Sequence, residues 1–174
     1  GLAIDLGTTT VVASLLDLTT GTPVGSTTAL NSQVKYGADV ISRMTYALAD
    51  PGHQENLQRA IIETLNRMIA VLCGQSRISA GQIYEVALAG NTAMSHFLLG
   101  LPIDSLATAP YNAVFSRLPS LPAADLGFKI NSHAKIYFSP NIRSFVGGDI
   151  SAGLIASGLA RRDGGYLYVD LGTN

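Results

Sequence analysis

Asp-Leu-Gly-Thr occurs twice in this chain, at Asp5 to Thr8 and at Asp170 to Thr173, each time directly after an apolar run. At a strand end, such a sequence sets a carboxylate where a sheet opens. A glycine follows that lets the backbone bend close to a ligand. The hydroxyls and N–H groups beyond it (Gly7, Thr8, Thr9 and Thr10 in the first copy; Gly172, Thr173 and Asn174 in the second) suit phosphate oxygens. An aspartate repels phosphate, so its place beside such a cradle is explained by a cation. Mg²⁺ held through water by Asp5 and Asp170 is the simplest choice. A single copy is also an ordinary strand-to-hairpin turn, because Asp, Gly and Thr are common turn residues. Two copies, each behind an apolar strand, favour the phosphate reading.

Other residues with possible chemistry are less specific. Gly90-Asn91 follows the apolar run Val86 to Ala89, where the Asn91 amide could line a cleft with both a donor and an acceptor. It could equally cap the helix that follows. Asp149 opens the run Gly147 to Gly158, either as a site carboxylate or as a helix cap. Asp39 and Arg43 stand four apart, the spacing of a helical ion pair, as do Glu63 and Arg67. His53, His96 and His133 lack metal-ligand spacing.

The elements that must position these groups can be read from periodicity. Gly1–Gly7, Thr8–Leu18 and Val24–Leu30 read as three strands of an antiparallel meander, with a turn at Thr19 to Pro23. Ile41, Met44 and Leu48 mark a first helix, stopped by Asp50-Pro51-Gly52. Leu57, Ile61, Leu65, Met68 and Leu72 form one apolar stripe of a second, longer helix. Met94, Phe97 and Leu98 suggest a short helix ending at Gly100. The proline-rich stretch Leu101–Phe128 reads as an irregular excursion. Lys135–Phe138 is a strand, Gly148–Leu159 a helix and Tyr166–Leu171 a last strand. This order predicts an α/β fold: a mixed sheet opening with a three-strand antiparallel meander, with helices on both faces.

Of 174 residues, 47% are hydrophobic and 13% charged, with a net charge of -1. That composition supports one well-buried domain and gives no electrostatic footprint for nucleic acid or an anionic membrane. No apolar run is long enough to span a bilayer, and no signal-peptide pattern opens the chain. Cys73 is the only cysteine, so this chain holds neither a disulfide framework nor a cysteine-ligated iron–sulfur cluster. A lone, apolar-flanked thiol fits a soluble, cytoplasmic protein. Gly1 and Asn174 both abut strand-like runs, and both ends read as edges of a longer protein.

Asp5 to Thr10 resembles the first phosphate motif shared by actin, sugar kinases and heat-shock chaperones, and Asp170 to Asn174 resembles the start of their second. Gly147 to Gly158 resembles the helix connecting their two lobes, and its small Ala152, Gly153 and Ala156 suit close approach by another helix. The resemblance implies a ribonuclease-H-like lobe of an actin-like ATPase. Residues 1–164 would form the first lobe, and 165–174 the first strand and phosphate loop of a second lobe. It implies ATP and Mg²⁺ as cofactors, with Gly90, Asn91 and Gly148 beside the nucleotide. Asp149 would orient the attacking water or join the Mg²⁺ shell, so that Asp5, Asp149 and Asp170 would carry the chemistry.

A narrower similarity, to the reductive activators of corrinoid proteins, runs over nearly the whole chain. It is carried by Asn31-Ser32-Gln33, Tyr36 to Arg43, Ala89 to His96, Ala109-Pro110-Tyr111 and Phe145 to Asp149. It implies that ATP hydrolysis is coupled to reduction of a partner's Co(II) corrinoid to Co(I). The electron would come from an iron–sulfur cluster outside these residues. It also implies partner contact by the Asp39–Arg43 helix. Two alternatives stand beside it: another actin-fold phosphotransferase such as a sugar or small-acid kinase, and a non-catalytic nucleotide-binding or polymerising module. By resemblance the Tyr166–Val169 run belongs to the sheet of the second lobe, so Gly165–Asn174 is expected either to project poorly ordered or to pair with a second copy of the chain.

Overall fold

Leu2, Ile4 and Leu6 are buried while Ala3 and Asp5 between them are exposed, the period-two pattern of a strand with one covered face. This strand, β1 (Leu2–Leu6), is the axis of a six-stranded sheet in the computed structural model, which describes residues 1–172. β2 (Thr10–Leu16) and β3 (Pro23–Leu30) complete the expected antiparallel meander. On the other side of β1, β4 (Glu85–Gly90) and then β6 (Lys135–Phe138) run parallel to it. A two-residue β5 (Leu121–Pro122) closes that edge antiparallel to β6, giving the order β3-β2-β1-β4-β6-β5.

The covered face packs under helices. α1 (Val40–Ala49) is followed at once by α2 (Pro51–Ser76). Asp50 does double duty between them: it ends α1, and its carboxylate accepts from the Gly52 N–H to cap α2, with Pro51 in the first turn. The α2 stripe Leu57, Ile61, Leu65, Met68 and Leu72 is buried as expected, in one core with Leu6, Val11, Val86 and Ile136. α3 (Thr92–Leu99) adds Met94, Phe97 and Leu98 to that core and ends on the left-handed Gly100. The stretch from Leu101 onward is largely irregular, with one short helix α4 (Asp104–Ala107). α5 (Gly148–Ser157) lies on the opposite face, where Ala152 and Asp5 line a groove of about 310 Å³.

Several expectations are corrected. In α1 the inward face is Val40, Arg43, Met44 and Ala47, while Ile41 and Leu48 are exposed. Arg43 is therefore no surface ion pair: it is 0% exposed, and Asp39 caps the helix through Ser42. Arg67 reaches Ser32 and Thr64 rather than Glu63, because the 3-10 turn Ser32–Lys35 lies beside α2. The largest correction is at the end of the chain. Tyr166–Leu171 forms no strand, and Leu167 and Leu171 stand 87% and 91% exposed. High β propensity does not make a strand where no neighbouring strand receives its N–H and C=O groups. Instead the Tyr168 hydroxyl rests against Gly153 of α5, where a Cβ would lie 2.0 Å away. Gly153 is thus approached by an aromatic ring's hydroxyl rather than by a helix, and Ala156 is exposed.

Candidate phosphate and cation site

The turn between β1 and β2 is held by its neighbours on two sides. At Gly7 a Cβ would meet the Thr10 carbonyl oxygen at 2.3 Å, so only glycine fits so tight a bend. Asn31, which is fully buried after β3, donates through Nδ2 to the Gly7 carbonyl at 3.0 Å and through its backbone N–H to the Thr9 carbonyl at 2.8 Å. From the other side Asn91 donates to the Thr8 hydroxyl at 2.9 Å. Thr8 is turned inward as part of this clamp, whereas Thr9 and Thr10 are exposed.

Asn91 is the cap of the helix that follows it. Its Oδ1 accepts from the Met94 N–H at 2.9 Å, capping α3, while its Nδ2 reaches the loop. Gly90 pairs with Leu6 in the sheet, and a Cβ there would meet the Leu6 carbonyl oxygen at 2.9 Å. Close approach also explains Gly147-Gly148. A Cβ on Gly147 would lie 2.5 Å from the Asn91 Cα, and one on Gly148 would lie 2.6 Å from the Ser139 carbonyl oxygen. The start of α5 is thereby seated on the β4–α3 turn and on the end of β6.

That seating brings carboxylates together. Gly147 occupies the cap position of α5, so Asp149 is a first-turn residue whose Oδ1 accepts from the Ile150 N–H at 2.8 Å. The surrounding protein, and then the charges of Asp149 and Asp170, raise the Asp5 pKa above its usual 3.8. Burial likewise raises Asp149; the Ile150 N–H opposes this, and the charge of Asp170 adds to it. Three acids that repel one another beside a phosphate-type turn fit a divalent cation. Among the described residues no three His, Cys, Asp or Glu side chains form a cluster that could hold a metal ion directly.

Of the residues singled out from the sequence, Asp5, Gly7 to Thr10, Gly90, Asn91, Gly148 and Asp149 gather at the same ends of β1, β4 and β6. Asp170 is exposed, and its charge adds to the upward shifts of Asp5 and Asp149. Gly172 is exposed, and Thr173 and Asn174 lie outside the described residues. His96 is no ligand. Its Nδ1 donates to the Thr92 carbonyl at 2.7 Å, its Nε2 accepts from the Val114 N–H, and burial lowers its pKa. Missed in the sequence were Asn31 as a loop clamp and Arg43 as a buried side chain. The signal for Arg43 was present: Val40, Arg43, Met44 and Ala47 follow the i, i+3, i+4, i+7 pattern of an inward face.

Residues 1–162 match the family model described as RACo middle region. The whole chain is 37% identical to the corrinoid activation enzyme RamQ of Eubacterium limosum and covers 29% of that protein. Among solved structures it is similar to a reductive activator for corrinoid, iron-sulfur protein. That match has a TM-score of 0.92 and 38% identity, over 94% of this chain and 26% of the other. The chain therefore spans less than a third of either protein's length.

Proposed function

We propose a function from one premise: the chain belongs to the RACo middle region family. It is the first, ATP-binding lobe of a cytoplasmic enzyme that uses ATP to return a partner protein's Co(II) corrinoid to Co(I). The relatives' names, a corrinoid activation enzyme and a reductive activator, support the general role. The observation that supports the nucleotide part is a glycine turn clamped by Asn31 and Asn91, with Asp5 on the strand before it and Asp149 in the first turn of α5.

In this reading the backbone of Gly7 to Thr10, with the Thr9 and Thr10 hydroxyls, faces the phosphates. Asp5 and Asp170 hold hydrated Mg²⁺, which neutralises phosphate charge when bound. Asp149 orients water at the start of α5, where the helix N-terminus also favours negative charge. Thr173 and Asn174 belong to the second phosphate loop. The electron comes from an iron–sulfur cluster elsewhere in the protein, since Cys73, the only thiol here, cannot hold one and burial pushes its pKa up. Nucleotide binding or hydrolysis then biases a conformational change that favours reduction.

The test is ATP turnover by the full-length protein. Asp5→Ala and Asp170→Ala should each lower it by roughly 10²-fold, the scale on which removing one charge-stabilising group acts. Residues 1–174 alone should bind ATP weakly and hydrolyse it negligibly, because a transferring phosphoryl group needs donors from all sides. Robust turnover by that piece, abolished by Asp5→Ala, would show that one lobe suffices. A variant that unfolds yet keeps its specific activity when folded would make the carboxylate structural.

A further inference from the structure

Among the described residues the largest fully buried side chain is a charged one, Arg43. Its Nε donates to the Gly37 carbonyl at 2.9 Å, and its Nη1 donates to Gln33 Oε1 at 3.2 Å and to the Met94 sulfur at 3.5 Å. Its Nη2 has no hydrogen-bond partner in the protein. Burial pushes the guanidinium down to about 10, with the charge of Asp39 opposing the shift, so it is a cation at neutral pH. Asp39 itself is spent on capping α1, receiving the Ser42 N–H at 2.7 Å. A buried cation without a bonded carboxylate is a poor device for stability, and an apolar residue of similar volume often does better. Its retention needs another reason.

The partners of Arg43 supply one. Gln33 donates its backbone N–H to Asn31 Oδ1 at 3.0 Å and anchors its own amide on the Leu57 carbonyl of α2. The Met94 sulfur also receives Asn31 Nδ2 at 3.7 Å, and the Met94 N–H is the donor to Asn91 Oδ1. Asn31 and Asn91 are the two side chains that hold Gly7 and Thr8. Two of the three residues the guanidinium touches, Gln33 and Met94, therefore bond directly to an asparagine that bonds the loop. A planar fork with fixed donor directions sets Gln33, Met94 and Gly37 relative to one another, which a lysine's single point charge cannot do.

We infer that Arg43 is a positioning residue for the phosphate loop, acting through Gln33 and Met94 on Asn31 and Asn91. The inference rests on the nucleotide reading for its consequence but not for its geometry, and the experiment separates the two. Hydrogen–deuterium exchange is followed in the nucleotide-free full-length protein, on peptides covering residues 7–10 and on peptides from α2 and β4. Mg²⁺-ATP affinity is then measured by calorimetry on the same samples. Arg43→Met should raise exchange at residues 7–10 by about tenfold, the effect of losing one net hydrogen bond, with the α2 and β4 peptides unchanged. Arg43→Lys should fall between wild type and Arg43→Met. Met94→Leu conserves volume and so keeps the fold, and it should loosen the same residues to a smaller extent. ATP affinity should fall in the same order.

Unchanged exchange at residues 7–10 in Arg43→Met and Met94→Leu overturns the proposal. So does a rise spread evenly over α2 and β4, which would make Arg43 a packing residue only. If the loop loosens as expected while wild type takes up no ATP, the positioning role stands and the nucleotide reading is what fails.

Discussion

Leu6 and Leu171 occupy the same place in two copies of Asp-Leu-Gly, yet Leu6 is 0% exposed and Leu171 is 91% exposed. The first copy leaves a strand paired on both sides, by β2 and β4, and enters a turn held by Asn31 and Asn91. The second leaves Tyr166 to Val169, which pairs with no strand among the described residues. The same leucine thus stands in a sealed core in one copy and exposed in the other. A phosphate loop is made by the elements that receive its backbone, and the motif alone does not supply them.

The largest test of this contrast is paired truncation. Leu6→Ala should destabilise the fold by roughly 2–5 kcal/mol, because it opens a cavity in a sealed core. Leu171→Ala should stay within about 0.5 kcal/mol of wild type, as exposed substitutions do. Equal losses in urea denaturation would mean that the second copy is packed after all.

Gly147→Ala probes the seating of α5. Its new methyl group would press on the Asn91 Cα and the Thr92 nitrogen, both backbone atoms that cannot rotate away. Overpacking of this kind costs about 1–3 kcal/mol, and it should also disturb the cap of α3. A denaturation midpoint matching wild type would show that the three turns are not in firm contact.

A smaller effect follows from the crowded carboxylates. Asp5 and Asp149 are both raised above 3.8, so the folded state keeps protons that the unfolded state has released. Their contribution to stability is present below about pH 4 and is lost as pH rises through the folded values. In cation-free buffer, thermal melts taken across that range should therefore decline with pH from this source. Asp149→Asn should flatten the decline, and Mg²⁺ should oppose it. Parallel profiles for wild type and Asp149→Asn would show that the acids do not sense one another.

The smallest effect belongs to the end of the chain. Deleting residues 165–174 should change stability by less than about 1 kcal/mol, since their described part, 165–172, is largely exposed and its contact with α5 is that of Tyr168 with Gly153. Sedimentation of the intact and shortened chains tests pairing through Tyr166 to Val169. An intact chain that stays monomeric at high concentration ends that proposal.

Periodicity and turn chemistry were sufficient for β1 through β4, for β6, and for α2, α3 and α5. Those runs alternate at period two or repeat near 3.6, and caps such as Asn91 or stops such as Gly100 bound them. The turn at Gly7 and the place of Asp149 in the first turn of a helix were legible, because glycine suits a sharp bend after a strand and an acidic residue suits a helix start. Three things were decided only by tertiary structure. Tyr166–Leu171 has the composition of a strand, but pairing needs a partner that composition cannot provide. Arg43 has the composition of a surface residue, yet the 3-10 turn after β3 and α3 enclose it and take its donors. Asn31 looks like a turn residue, yet it reaches back 24 positions along the chain to Gly7. Each of these depends on which distant groups satisfy a backbone or a polar side chain, and that is set when the elements pack together.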